Sequence, residues 1–400
     1  MSSVTVSDVE LILTQPGLSR LAVVKVHTSE PGLYGIGCAT FTQRIHAVAA
    51  AVELHIKPFL IGRPVDRIEE LWRMMMVHGY WRNGPVLNNA ISGVDQALWD
   101  IKGKQAGMPV YQLFGGKSRE AARVYVHANG SDREAVVDDA RRLIGDGYRC
   151  IRLQIDGYGG GAHDLHQPVG APDGSYFDPR AYARATVDMI GYARDALGDE
   201  IELLHDIHER LSPIDAVQMA KDLEPFRLFF LEDALAPEDI AWFKNIRSQC
   251  ATPLAMGELF NNPHEWRGLI VDRLIDFIRM HISQIGGLTP ARAVASFADM
   301  FGVRTAWHGP SDTSPVGHAA NLHLELWSPN FGIHEWYQPS ELEHEVFPGL
   351  PEVRDGYLYA NDQPGLGIDI NTDLAAAHPC REIVEQWTQT RLPDGSPARP

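Results

Sequence analysis

The sequence predicts an α/β protein, a (β/α) barrel joined to a smaller N-terminal α+β domain, and three observations lead there. At 400 residues the chain exceeds one ordinary compact core and suits a barrel plus a second domain. From Ala122 onward, short apolar stretches alternate with helical ones, the pattern of parallel βαβ connections. Three of those stretches in a row end in an acidic residue, in IELLHDIH, LFFLEDAL and PLAMGELF.

The N-terminal domain is read over residues 1–118. Alternating apolar residues mark strands from Val4 to Leu13 and from Leu21 to His27; Pro31 and Gly32 give a turn, and a third strand ends near Ala39. Helical periodicity covers Ile45 to Leu60, Arg67 to Met76 and Asn88 to Gln105, the last stopped by Gly107 and Pro109. The barrel is read over residues 119–361. Its strands are Arg123 to Val126, Cys150 to Ile155, Ile201 to His205, Leu228 to Leu231, Leu254 to Met256, Phe277 to Met280, Val303 to Ala306, and one near Ile333. Between them lie helices Arg133 to Ile144, Ala181 to Leu197, Ile214 to Leu223, Pro237 to Ser248, Pro290 to Phe301 and Gly317 to Glu325. Eight such units suit a closed barrel better than an open doubly wound sheet. No GxGxxG after a strand and no GxxxxGK[ST] supports nucleotide binding. The tail, 362–400, carries PGLGIDIN and a Pro-rich end; it is expected to pack back on the first domain and then fray.

Composition narrows the function classes. The chain is 44% hydrophobic and 22% charged, with no apolar run long enough for a membrane span. Its start, MSSVTVSDVELILT, lacks a basic region followed by an apolar one, so no secretory signal is read. Cys38, Cys150, Cys250 and Cys380 are far apart without a CxxC pair, which fits reduced thiols and a cytoplasmic location. The net charge of −17, with no basic cluster, argues against nucleic acid or an anionic membrane as partner. A small anionic substrate stays open, because a bound cation reverses the local field. Met74, Met75 and Met76 with Trp72 and Trp81 read as packing rather than a cofactor box.

In a barrel, reactive groups gather at the C-terminal ends of the strands. Asp206, Glu232 and Glu258 stand there, spaced by 26 and 26 residues, about one βα unit each. Converging carboxylates repel unless a cation lies between them, and oxygen-only ligands suit Mg²⁺. The alternative is that each acid is a strand-end turn residue or helix N-cap. His208, two residues beyond Asp206, points to the same side in an extended segment and could donate a proton; a solvated loop histidine is the alternative.

The triad, the segment AISGVDQALWDIKGKQAGMPVYQLFGG, and the later HGPSDTSPV and NFGIHEWY together resemble the enolase superfamily, within it the mannonate dehydratase-like group of acid sugar dehydratases. The likeness runs over almost the whole chain. It implies a modified TIM barrel closed over by a capping domain, one Mg²⁺ per subunit, and removal of the proton α to a carboxylate to give an enediolate. Asp206, Glu232 and Glu258 match the metal ligands, and His208 matches the general acid. Arg152 and Tyr158 resemble an Arg and Tyr pair in which the cation favours the phenolate base. The stretch between them, LQIDG, is shorter than usual and Gly-rich beyond, so a loop tyrosine is the alternative. His127, Glu258, Arg279, His308, Asp312 and Glu335 match substrate contacts. Thr42 stands where the group has Asn, and the end RLPDGSPARP replaces its usual Trp-Asn-Trp tail.

The function this implies is Mg²⁺-dependent dehydration of a hexonate, such as mannonate or gluconate, to a 2-keto-3-deoxy acid by a homo-oligomer. One alternative is a weak or silent homologue that keeps the metal site for a binding or regulatory role. Another is an epimerase, which needs a base on each face; Arg152 and Gln154 on strand two, and Arg279 and His281 on strand six, are what the chain offers for that.

Overall fold

The computed structural model describes residues 4–156, 168–384 and 387–399. Three strands come first, β1 (Val6–Thr14), β2 (Leu21–Thr28) and β3 (Tyr34–Cys38), in a separate antiparallel sheet with Val9 opposite Val26 and Leu11 opposite Val24. Eight parallel strands follow: β4 (Ala122–Gly130), β5 (Cys150–Ile155), β6 (Glu202–Asp206), β7 (Phe230–Glu232), β8 (Leu254–Met256), β9 (Phe277–Ile278), β10 (Arg304–Trp307) and β11 (Phe331–Glu335). They pair in sequence order, and β11 returns to β4, so the expected barrel closes. A short antiparallel pair, β12 (Glu352–Arg354) and β13 (Tyr357–Tyr359), adds to β4. The helix Pro263–Val271 was not expected, because its polar start, NNPHEW, hides the periodicity. Among the described residues no helix is long and apolar enough to cross a membrane.

The chain divides into two compact units, one of 1–123, 258–266 and 279–382, the other of 124–257, 267–278 and 383–400. In the first, the helix Pro85–Ala106 is buried on nearly every side and lies directly on β3. Gly35 and Gly37 make that possible, since a Cβ on either would come within 2.0 Å of the Ala97 carbonyl oxygen or 2.1 Å of the Gly93 one. The helix's polar residues are spent on backbone. Gln96 Oε1 accepts from Cys38 N at 3.0 Å, and Asp100 accepts from Ile36 N at 3.1 Å and Leu366 N at 2.8 Å. Asp95, fully buried, accepts from Thr289 N at 2.9 Å and Thr289 Oγ1 at 2.5 Å, where the helix Leu288–Asp299 begins. Thr14 Oγ1 donates to the carbonyls of Ala375 and His378, which holds the first part of the tail on β1.

The second unit contains most of β4 and all of β5 to β9, with the helices Arg133–Gly145, Pro179–Leu197, Pro213–Leu223 and Phe243–Gln249. Several helices begin with a side-chain cap followed by proline, as Asp178 does for Pro179–Leu197 and Ser212 for Pro213–Leu223. The end of the tail does not fray. Phe177 N donates to Arg391 O at 2.8 Å, Arg391 N donates to Ser175 O at 2.9 Å, and Arg399 pairs with Asp239 at 3.0 Å. Backbone pairing of this kind satisfies donors that a free end would leave to water. Trp81, expected to pack, is instead 83% exposed.

Candidate metal and acid–base site

Each unit carries one hydrogen-bonded group of the expected residues. In the second unit, β6 and β7 end together, with Asp206 in register with Glu232. Parallel neighbours in register project to the same face, so both carboxylates sit at one level, and both are buried. Asp233, one residue on, turns back at φ 39°, and oxygens of Asp206, Glu232 and Asp233 lie within 4.8 Å of one another. Arg152 Nη1 lies 3.2 Å from Asp206 Oδ2 and 3.9 Å from Glu232 Oε1. Its Nη2 meets His127 Nδ1 at 3.2 Å, so that nitrogen accepts. Tyr125 OH donates to Glu232 Oε2 at 3.2 Å. The donors are all oxygen, which suits a hard cation. Buried carboxylates gathered this closely repel one another, and a divalent cation between them would relieve that repulsion.

His208 follows Asp206 in an unusual backbone. His208 and Glu209 are consecutive left-handed residues, at φ 55° and 53°, and His208 N donates to Asp206 Oδ1 at 2.7 Å. The ring of Trp387, from the tail, stands 5.7 Å from the His208 ring, edge to face. Behind Asp206, His205 Nδ1 donates to Leu153 O at 2.8 Å, so its Nε2 accepts from Tyr182 OH at 2.7 Å. Burial lowers His205 to about 4 and raises Tyr182 to about 12, so both stay neutral and the pair is a fixed support.

In the first unit Glu258 Oε2 takes Arg279 Nη1 at 2.5 Å and His308 Nδ1 at 3.0 Å. Arg279 Nη2 also pairs with Glu335, whose Oε2 accepts from Gly309 N at 3.0 Å. His308 Nε2 reaches Asp312 Oδ1 at 3.1 Å. Burial alone would push His308 down, but the carboxylates of Glu258 and Asp312 raise it to about 10, so both ring nitrogens donate. Burial likewise opposes ionisation of Asp312, and charged His308 outweighs it and lowers that carboxyl. His281 stacks on His308 with ring centres 4.7 Å apart, and burial, then the charge on His308, lowers it to about 3. His281, His308 and Asp312 are close enough to share a cation. Their bonding argues against it, because His281 Nδ1 accepts from Ser283 N at 3.1 Å and His308 is engaged at both nitrogens.

Two expectations sit differently. Thr42 is buried in a 3₁₀ turn and its hydroxyl donates to Arg20 O at 3.0 Å. Tyr158 lies outside the described residues. Asp233 and Tyr125 were missed, and His281 was read only as a strand-six candidate for the epimerase alternative. Asp233 adjoins Glu232 in FLED and was legible as a second acid, whereas Tyr125 had no local motif to mark it.

The chain is similar to known proteins over nearly all of its length. Residues 135–374 match the family described as enolase C-terminal domain-like, and residues 4–115 match the mandelate racemase / muconate lactonizing enzyme N-terminal domain. A D-galactonate dehydratase family member from Pantoea ananatis is 54% identical, with all of both chains covered. Another, from Enterococcus gallinarum, is 52% identical with the same coverage. Among solved structures, an enolase from Pantoea ananatis with bound D-gluconate and Mg superposes with a TM-score of 0.97 at 53% identity, over 99% of this chain and 100% of that one. A dehydratase-like protein from Zymomonas mobilis gives 0.84 at 27% identity, over 94% and 98%.

Proposed function

Since the chain belongs to the D-galactonate dehydratase family, an acid sugar dehydratase group of the enolase superfamily, we propose that it dehydrates a hexonate to a 2-keto-3-deoxy acid. The observation that carries this is the level pair Asp206 and Glu232, buried beside Arg152, with His208 two residues beyond. The proton at C2 is removed, the C3 hydroxyl leaves with a proton as water, and the enol tautomerises to the ketone. In this reading Asp206, Glu232 and Glu258 hold one Mg²⁺, which supplies electrostatic stabilisation of charge developing on the substrate carboxylate. Tyr158 takes the C2 proton and Arg152 favours its phenolate. His208, edge to face with the Trp387 ring, protonates the leaving hydroxyl. Arg279 and charged His308 attract the acid's carboxylate, with Asp312, Glu335 and His127 orienting its hydroxyls. The enzyme acts on a small acid as a cytoplasmic homo-oligomer. Support for gluconate as substrate comes from the acid bound in the Pantoea ananatis structure.

The test is incubation with Mg²⁺ and a panel of D-gluconate, D-mannonate and D-galactonate, with 2-keto acids read by semicarbazide absorbance. Product from one or more supports the reading; none from any refutes it. One observation favours a second reading, a binding protein with little turnover: the Thr42 hydroxyl, at a substrate-selecting position, is turned to Arg20 O. Hexonate binding without product would point there.

A further inference from the structure

Gln154 has no role in the dehydration above, yet it is buried in the second unit. It lies on β5, two residues beyond Arg152, so the two side chains leave the strand on the same face. The pairing of β5 with β6 ends with Arg152 opposite Leu204, and carrying that register two residues further along both strands puts Gln154 level with Asp206. Asp206 is in turn level with Glu232. Gln154 therefore occupies the same layer as the two carboxylates. It is 1% exposed, and among the described residues neither its amide nitrogen nor its amide oxygen has a hydrogen-bond partner.

A buried amide with both ends unbonded costs more than the methionine or leucine that would fill the same space. Where a fold keeps such a group beside charged residues, the missing partner is sought among ligands. The chemistry of that partner follows from the amide. A carboxylate, or any other pure acceptor, satisfies only Nε2. A pair of neighbouring hydroxyls satisfies both ends, one accepting from Nε2–H and the other donating to Oε1. We infer that Gln154 is a substrate-binding residue that grips two adjacent hydroxyls of the sugar acid at the level of Asp206 and Glu232. This rests on the dehydratase reading and adds to it a residue that selects polyhydroxy acids over simple ones.

The test uses the full chain with Mg²⁺, D-gluconate as probe, and Gln154→Met, which keeps length and removes both polar ends. Three quantities are measured: the unfolding midpoint without ligand, the Kd for Mg²⁺ alone, and the Kd for D-gluconate at saturating Mg²⁺. Expected are an unliganded midpoint equal to or above wild type, a Mg²⁺ Kd within about threefold, and a gluconate Kd weakened roughly 10-fold or more, as for two lost neutral hydrogen bonds. A gluconate Kd within threefold of wild type overturns the inference. So does a lowered midpoint with weakened Mg²⁺ binding, which would make Gln154 a structural support of Asp206. If wild-type protein binds no hexonate, the dehydratase reading falls and this inference with it; wild-type binding that Gln154→Met leaves intact removes this inference alone.

Discussion

Asp95 offers the sharpest stability experiment. It is fully buried in the helix Pro85–Ala106, and burial raises its carboxyl to about 7 despite the two hydrogen bonds from Thr289. An acid whose folded-state pKa lies above its unfolded value near 4 binds its proton more tightly when folded. Its contribution to stability is complete below about pH 4 and is lost as pH rises through 7. A shift of about three units corresponds to roughly 4 kcal/mol at about 1.4 kcal/mol per unit. Asp95→Asn removes the titration and keeps an acceptor for Thr289 N. Urea unfolding, followed by fluorescence and circular dichroism together, gives ΔG for both proteins at pH 5 and pH 8. Asn should gain on Asp by a few kcal/mol between the two, ending the more stable at pH 8. A difference that does not change with pH would refute the reasoning and show that the Thr289 bonds and the start of the helix Leu288–Asp299 hold Asp95 ionised throughout.

Other perturbations should be equally direct. Arg279→Met removes the guanidinium that Glu258 and Glu335 share and leaves them beside His308; it should cost about 3–5 kcal/mol in denaturant unfolding and abolish turnover. Asp206→Asn should weaken Mg²⁺ binding by tenfold or more in calorimetry, and chelation of wild type should remove activity that Mg²⁺ restores. Gly37→Ala should destabilise by at least about 2 kcal/mol, since its Cβ would meet the Gly93 carbonyl oxygen, and the loss would show as a lowered midpoint with Mg²⁺ affinity kept.

Much of this arrangement is legible in the sequence. The apolar runs around Ile151, Leu203 and Leu254 announce buried parallel strands because both faces are covered, and the even spacing of Asp206, Glu232 and Glu258 places them at strand ends. The long segment AISGVDQALWDIKGKQAGMPVYQLFGG carries a family likeness, and its physical content is packing: Gly93 against Val24, Gln96 on Cys38, Asp100 on Ile36, Gly103 against Gly365. What could not be read was pairing over long separations. Nothing local tells that Tyr182 will meet His205, that Tyr125 will meet Glu232, or that Trp387 will stand over His208. The ordered end of the tail was missed for the same reason, since Pro and Gly content signals a loop and says nothing of the partner at Ser175.

The consecutive left-handed residues at His208 and Glu209 set selection for folding against selection for chemistry. A side chain with a Cβ costs roughly 1–2 kcal/mol in that conformation, and glycine avoids the cost. A library screened for thermal stability should therefore drift toward glycine or asparagine at both positions. Screened for turnover, the same library should hold histidine at 208 and let 209 go. The two enrichment maps should coincide over most of the chain and part company here.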